Sequence, residues 1–417
     1  MAPRFSRVRA AGRSFALTRR GTGFLIAAVA SFLLAPVLSA PALLYATGLL
    51  FGLVLLAATF VATGHSRVRI DRSFAPQIVD AGQSVRARLV VTNTSSVPCP
   101  EASWTDKLPY MVAGEAHGVL PALGPARAPD AVVSAAYTMS SSTRGAHAIG
   151  PLSIRVMDPF GLVERHRTFG DPHVLTVLPR RYELPAIKPT GSDEDGATRP
   201  SPQQVGLGED DVIARTYVPG DALKRLHWKA TARRGELMVR QEEQQMNPRA
   251  AVVLDLNARS HGTDRDRSGA WEYSPSFEWA VASGASVITH LVRAGYLVSV
   301  GASDGSVGAE LSEGRETVRD VMVSLAHCEP SELDTWRAPH ERATFVVAGR
   351  LEADRARQWT QTLADAGSVH AMVAASTRPH VLEVLAGAGW HVVTYTPQSD
   401  IPDTWAELDG AHHHVAG

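Results

Sequence analysis

Between Gly21 and Gly64 the chain carries no charged side chain. That run of roughly 44 residues is too long for one transmembrane helix of about 20 and fits two. Pro36 and Pro41 stand near its middle, where a hairpin has to turn and where a residue disfavoured in helix interiors is best placed. The spans fall over Thr22–Ser39 and Ala42–Ala62, both helical because lipid offers no partner to an unpaired peptide group. Arg4, Arg7, Arg9, Arg13, Arg19 and Arg20 precede the run, and Arg67, Arg69 and Arg72 follow it against a lone Asp71. Positively charged flanks stay in the cytoplasm. The expectation is a two-span plasma-membrane protein with both termini cytoplasmic and only the loop around Pro36–Pro41 outside. A soluble core rarely tolerates so long an uncharged run. A signal peptide cut after Leu38-Ser39-Ala40 would leave Pro41 just behind the cut and a second span at once after it.

The remaining chain of about 350 residues has room for two or three domains. The full chain, with 45% hydrophobic and 20% charged residues, can bury real cores. A net charge of −1 gives no global field that would draw nucleic acid. Cys99 and Cys328 are the two cysteines and form no CxxC or Cys/His pattern, which argues against a disulfide framework or a zinc site. Both are expected to be buried and reduced.

After the basic N-terminus (1–20) and the hairpin (21–64), residues 66–185 change to period-two alternation. Ser84–Val91, Ala131–Met139, Leu152–Met157 and Val174–Leu178 read as short strands, separated by turns such as Arg144-Gly145 and Asp158-Pro159-Phe160-Gly161. Such spacing predicts an antiparallel β-sandwich resembling immunoglobulin or fibronectin modules. His147, His166 and His173 lie on different expected elements, and the turn Asp158–Leu162 reads as a tight reversal with an apolar plug. No chemistry is assigned here.

A polar linker (186–211) leads into the signature segment (212–247). Pro219-Gly220 makes a turn, Asp221 is placed to cap a helix, Leu223, Leu226 and Ala230 share one helical face, and Gly235 ends the helix before Leu237-Met238-Val239 returns as a strand. The opposite face carries Lys224, Arg225, Lys229, Arg233 and Arg234. A solvated face accounts for such a charge bias, as does a docking surface for an acidic partner or an anionic lipid, with Trp228 beside Lys229 as its anchor. His227 with Asp221 as orienting carboxylate would serve as a general base, but no nucleophile or oxyanion group accompanies them.

Tyr217-Val-Pro-Gly-Asp221 followed by His227-Trp-Lys-Ala-Thr-Ala-Arg233 closely resembles the signature of a bacterial family, domain of unknown function fifty-eight. The two spans, the strand-rich region with Arg144-Gly145 and Asp158–Leu162, and an α/β C-terminal region also fit its layout. The resemblance implies a von Willebrand factor A-like C-terminal part and a MoxR-type AAA+ ATPase as protein partner.

Residues 248–410 alternate apolar runs with helical periods. Strands are predicted over Ala250–Leu254, Tyr296–Val300, Ala343–Val347, Val369–Ala374 and His391–Tyr395. Helices are predicted over Phe277–Ala294, Glu316–Ala326, Ala353–Ala366 and Val381–Ala388. The pattern implies a doubly wound, mainly parallel sheet with helices on both faces. The first strand ends in Asp255-Leu256-Asn257-Ala258-Arg259-Ser260. Cation-binding von Willebrand A-like domains use Asp-x-Ser-x-Ser at this place. Asp255 matches and Asn257 offers an oxygen, but Arg259 replaces the last serine, so a degenerate site is favoured over one holding Mg²⁺. The tail (411–417) holds His412-His413-His414.

Together these readings describe a membrane-anchored, non-enzymatic adaptor, with Tyr217, Pro219, Gly220, Asp221, Arg225, His227, Trp228, Lys229 and Arg233 marking its interaction surface. No cofactor is expected. The alternatives are a metal-dependent enzyme using Asp255 with Asp221 or His227, and an anionic-lipid-binding module using Lys224–Arg234. The chain has no GxxxxGK[ST] loop for ATP.

Overall fold

The computed structural model describes residues 14–63, 67–186, 214–216, 228–240, 248–305, 308–311, 315–333 and 341–410. They group into two compact units, one drawn from residues 1–181 and 319–329, the other from residues 182–318 and 330–417.

The first unit opens with strand β1 (Ser14–Leu17) and the helices α1 (Arg19–Val37) and α2 (Ala42–Thr63). Thr18 caps α1, its Oγ1 accepting from the Gly21 N–H at 3.1 Å. Pro36 lies in the last turn of α1 rather than in the reversal, which is made by the residues after Val37 with Ser39 at φ 48°. Both helices are long and apolar enough to cross a membrane. Ile26, Leu33, Leu49 and Leu55 stand exposed on them. β1 departs from the expected basic tail: it pairs antiparallel with Val163–His166 as an added edge strand.

Strands β2 (Val68–Ala75), β3 (Ile78–Asp80), β4 (Ser84–Asn93), β5 (Ala102–Asp106), β6 (Val112–Gly114) and β7 (His117–Leu120) follow. After them come β8 (Val132–Ser141), β9 (Gly145–Ile149), β10 (Leu152–Met157), β11 (Val163–Phe169) and β12 (His173–Leu178). They form sheets ordered β1-β11-β10-β5-β7, β2-β4-β8-β6 and β3-β12-β9. The local cause is plain in β4, where Val85, Ala87, Leu89 and Val91 are buried while Arg86 and Arg88 are exposed. Inward residues of all three sheets, among them Leu89, Trp104, Tyr137, Ile149, Leu152 and Leu175, meet in one core. The small third sheet, with its parallel β3–β12 pair, is the departure from a two-sheet antiparallel sandwich.

In the second unit the chain is held from Tyr182 onward. Tyr182 N donates to Ser286 Oγ at 3.0 Å, and the Pro185 carbonyl accepts from Trp405 Nε1 at 2.9 Å. The sandwich therefore ends at Arg181, a few residues before the expected boundary. β13 (Ala214–Thr216), α3 (Trp228–Arg234) and β14 (Met238–Arg240) precede β15 (Arg249–Leu254), α4 (Pro275–Arg293), β16 (Leu297–Ala302) and β17 (Gly308–Leu311). α5 (Arg315–His327), β18 (Ala343–Ala348), α6 (Ala353–Thr362), β19 (Ser368–Ala374), α7 (Pro379–Gly387), β20 (His391–Tyr395) and α8 (Ile401–Gly410) complete the order. Most of α5, from Arg319, groups with the first unit.

The large sheet runs β17-β16-β15-β18-β19-β20, parallel except for β17 at its edge. β18 and β19 are buried at every position, as strands covered on both faces must be. Val253, Val346 and Val373 pack with Trp359 of α6 and Leu385 of α7. On the other face Gly284 lets α4 approach Leu254, and the Trp405 ring of α8 lies 5.2 Å from Phe345. The doubly wound expectation is met, with the antiparallel edge β17 and the last helix α8 as additions.

Candidate functional site

Ligands of doubly wound sheets bind beyond the carboxyl ends of the strands, where the strand order reverses. Here that point lies between β15 and β18, since the chain steps from β15 to β16 on one side and returns to β18 on the other. Asp255 stands there, fully buried. Its N–H continues the sheet by donating to the Val347 carbonyl at 2.9 Å. The following loop folds back on the carboxylate, the Asn257 N–H donating to Asp255 Oδ1 at 3.0 Å. Asn257 Oδ1 in turn accepts from the Arg259 N–H at 3.0 Å. The loops after β15 and β18 touch: Arg350 N donates to the Ser260 carbonyl at 2.7 Å, and a Cβ on Gly349 would collide with that carbonyl.

The remaining space is taken by Arg355, from the first turn of α6. Its Nη2 donates to Asp255 Oδ1 at 2.8 Å, its Nη1 to Asp255 Oδ2 at 3.4 Å and also to Ser260 Oγ. Its guanidinium lies over the Trp359 ring at 5.0 Å. A cation in the first turn opposes the helix dipole, and the buried carboxylate is what holds it there.

Behind the pair runs a polar relay. The carbonyl of Asp255 can only accept, so His261 Nε2, 2.7 Å away, carries the proton. In the neutral ring Nδ1 is then the acceptor, and Ser276 Oγ at 3.1 Å donates to it. Tyr395 OH, 3.3 Å from that oxygen, donates in its turn. Burial lowers the His261 pKa, the nearby Arg355 charge adds to this, and the Asp255 charge opposes it. Burial likewise pushes the Tyr395 phenol up. The relay is a neutral, closed chain that orients the loop.

These contacts test the residues against a divalent cation. Hard cations want several free oxygen ligands, yet both oxygens of Asp255 and the side-chain oxygen of Asn257 are engaged within the site. The charge of Asp255 already faces a guanidinium. Among the described residues no group of three or more His, Cys, Asp or Glu side chains could hold a metal ion. The donor set does not fit Mg²⁺.

Of the signature residues, Tyr217, Pro219, Gly220, Asp221, Arg225 and His227 lie outside the described residues. Trp228 opens α3 and is 69% exposed, and Arg233 and Arg234 on the same short helix are exposed. Lys229 belongs to this helix. The helix ends as expected at Gly235, whose φ of 76° needs glycine. Met238 is buried, and β14 pairs antiparallel with β13. Of the expected linker (186–211), residues 187–211 lie outside the described residues, as does the histidine tract.

Sequence reasoning missed Arg355 and His261 as partners of Asp255, and Ser260 as a second acceptor for Arg355; the one local signal was a basic residue in the first turn of a helix. It also missed a buried ion pair inside the sandwich. Arg72 Nε and Nη2 donate to the two oxygens of Asp106 at 2.9 and 2.6 Å, and Tyr137 OH donates to the same carboxylate at 2.7 Å. His173 Nδ1 lies 3.1 Å from Arg72 Nη1, while His147 and His166 bond Thr143 and Glu164.

The fold and site thus define a protein with an apolar helical hairpin, a β-sandwich and a doubly wound α/β unit whose switch-point crevice is closed by an internal arginine–aspartate pair. Residues 213–399 match the family described as protein of unknown function DUF58. That stretch, somewhat less than half of the chain, is similar to the family. It is 24% identical over 233 residues to the uncharacterized protein YeaD of Bacillus subtilis strain 168, a match covering 52% of this chain and 54% of that one. The chain thus spans about half the length of the curated relative it matches. A family two carbohydrate esterase from Cellvibrio japonicus aligns with 83% of this chain and 96% of its own at 8% identity and a TM-score of 0.18. An exo-β-N-acetylglucosaminidase from Vibrio harveyi aligns with 77% of this chain and 60% of its own at 9% identity and a TM-score of 0.16. At such scores neither likeness carries an argument about this chain.

Proposed function

We propose that the protein is a membrane-anchored, non-enzymatic adaptor of the plasma membrane, with both termini cytoplasmic, that recognises a protein partner through its signature segment. The observation that carries the reading is the exposure of Trp228. A large aromatic in open solvent, on a helix bearing Arg233 and Arg234, has the composition of an interaction hot spot. The carboxylate at the end of the first strand and the doubly wound sheet support a von Willebrand A-like α/β unit. The family resemblance supports a MoxR-type AAA+ ATPase as the partner, acting with this protein in the assembly of envelope complexes. The exposed apolar faces of α1 and α2 support insertion of the hairpin, since large uncovered apolar patches are rare on soluble proteins.

Crosslinked affinity purification from native membranes tests this. Wild type is compared with a Trp228→Ala/Lys229→Glu variant shown to be folded by its unaltered unfolding transition. Recovery of a AAA+ ATPase with wild type and its loss with the variant is the expected result. Equal recovery with both would remove the signature helix as the docking surface, and no enrichment with either would remove the adaptor reading.

A further inference from the structure

The hairpin is fastened to the sandwich through the turn joining β10 and β11. Asp158 builds that turn: its carboxylate accepts the N–H groups of Phe160, Leu162 and Val163 at 2.8, 2.7 and 2.6 Å. Gly161 takes φ 68°, and its N–H donates to the Asp158 carbonyl at 3.0 Å. The turn is therefore shaped before it meets anything else.

Both helices of the hairpin end against it. Thr18 N donates to the Leu162 carbonyl at 3.0 Å and Thr18 Oγ1 to the Gly161 carbonyl at 2.6 Å, one residue before α1 begins. A Cβ on Gly21 would collide with the Leu162 carbonyl. Leu162 and Val163 pack with Ala57 and Val61 of α2 and with Phe24 of α1. Arg165, itself buried, donates from Nη1 to the Val61 carbonyl at 3.0 Å, satisfying the end of α2. The expected apolar plug is thus Leu162, and Phe160 is left outside, 51% exposed.

Depth follows from length. The 19 residues of α1 rise about 28 Å, close to the roughly 30 Å of a bilayer's hydrocarbon core. The first turn of α1, and with it the Asp158–Leu162 turn, then sits at the membrane surface. The side chains there have the composition of that layer. Phe15, Leu17, Met157 and Phe160 are exposed apolar groups, and Arg19 and Arg20 are exposed cations, with Arg20 Nη1 beside Gly161. Exposed apolar side chains beside arginines suit the boundary of an anionic leaflet, the former reaching the acyl chains and the latter the headgroups.

We propose that the Asp158–Leu162 turn, with Phe160 at its tip and Arg19 and Arg20 beside it, is a membrane-interface contact that seats the sandwich directly on the anionic lipid surface. The proposal rests on the reading that α1 and α2 span the membrane. Hairpin and sandwich form one docked body at the leaflet, and the hairpin is no loose tether.

Site-directed spin labelling of the full chain tests it, with Cys99→Ala and Cys328→Ala as background. Labels are placed through Phe160→Cys, Phe32→Cys at an exposed position in the C-terminal half of α1 and Tyr110→Cys, where the native residue is 90% exposed. The protein is reconstituted in nanodiscs of phosphatidylcholine and phosphatidylglycerol, and collision with oxygen is compared with collision with a water-soluble nickel chelate. The label at 160 is expected at a depth between the other two, and deeper as the phosphatidylglycerol fraction rises. That rise should be lost in an Arg19→Glu/Arg20→Glu variant. A label at 160 indistinguishable from that at 110, while the label at 32 reports hydrocarbon, overturns the proposal and leaves the spanning reading intact. A label at 32 that reports water overturns the spanning reading and the proposal with it.

Discussion

At the residue scale the central fact is a buried carboxylate matched by a guanidinium from 100 positions further along the chain. Removing one member of a buried pair leaves the other uncompensated, at about 3–5 kcal/mol. Arg355→Ala is therefore expected to lower unfolding stability by roughly 3 kcal/mol, read from urea denaturation in detergent. Asp255→Ala should cost a similar amount, and the double variant less than the sum because the lost interaction is shared. Strict additivity of the two losses would show that the contact is incidental. His261 gives a pH signature. Its folded pKa is lowered, chiefly by burial, so the native ring stays neutral while the unfolded ring takes up a proton below its ordinary 6.5. This contribution to stability is complete above that value and is lost as the pH falls from there toward the folded pKa. The midpoint of thermal unfolding should fall between pH 7 and pH 5, and fall less in a His261→Gln variant; parallel curves would exclude His261 as a source of the acid sensitivity.

At the scale of elements, two packing contacts depend on a missing side chain. Gly21 brings α1 against the Leu162 carbonyl, and Gly349 brings the loop after β18 against the Ser260 carbonyl. Neither is at a positive φ, so each is a matter of space alone. Gly21→Val should push α1 off the β10–β11 turn while leaving the sandwich core untouched. The expected readout is faster hydrogen exchange at the Thr18 amide, whose N–H donates to the Leu162 carbonyl, with the amides of β4 and β8 unchanged. Unchanged exchange at Thr18 would show that the hairpin docks without that close approach. Helix and strand types were legible at this scale because they depend on local periodicity. Ser84–Val91 alternates and Ala250–Leu254 is a continuous apolar run, and these became β4 and β15. β17 and the residues before α1 carry no such pattern, and only the partner strand made them strands.

At the scale of the whole molecule the prediction concerns which side of the membrane carries the chain. A periplasm-dependent phosphatase fused after Val61 should be inactive and a cytoplasmic reporter at the same point active, because the arginine-rich flanks of both spans hold them inside. The opposite pattern would invert the molecule and move the signature segment away from any cytoplasmic ATPase.

The sequence by itself determined the apolar hairpin, the change from two-residue to helical periodicity, the doubly wound succession and the signature segment. Each of these is a property of neighbouring residues: an unbroken absence of charge, an alternation, a spacing. Tertiary structure alone decided that Arg355 closes the crevice over Asp255, that residues 14–17 extend a sheet by pairing with residues 163–166, and that Phe160 rather than Leu162 faces outward at the foot of the hairpin. Those outcomes depend on which distant segments come to share the same space, and no local pattern of side chains encodes that.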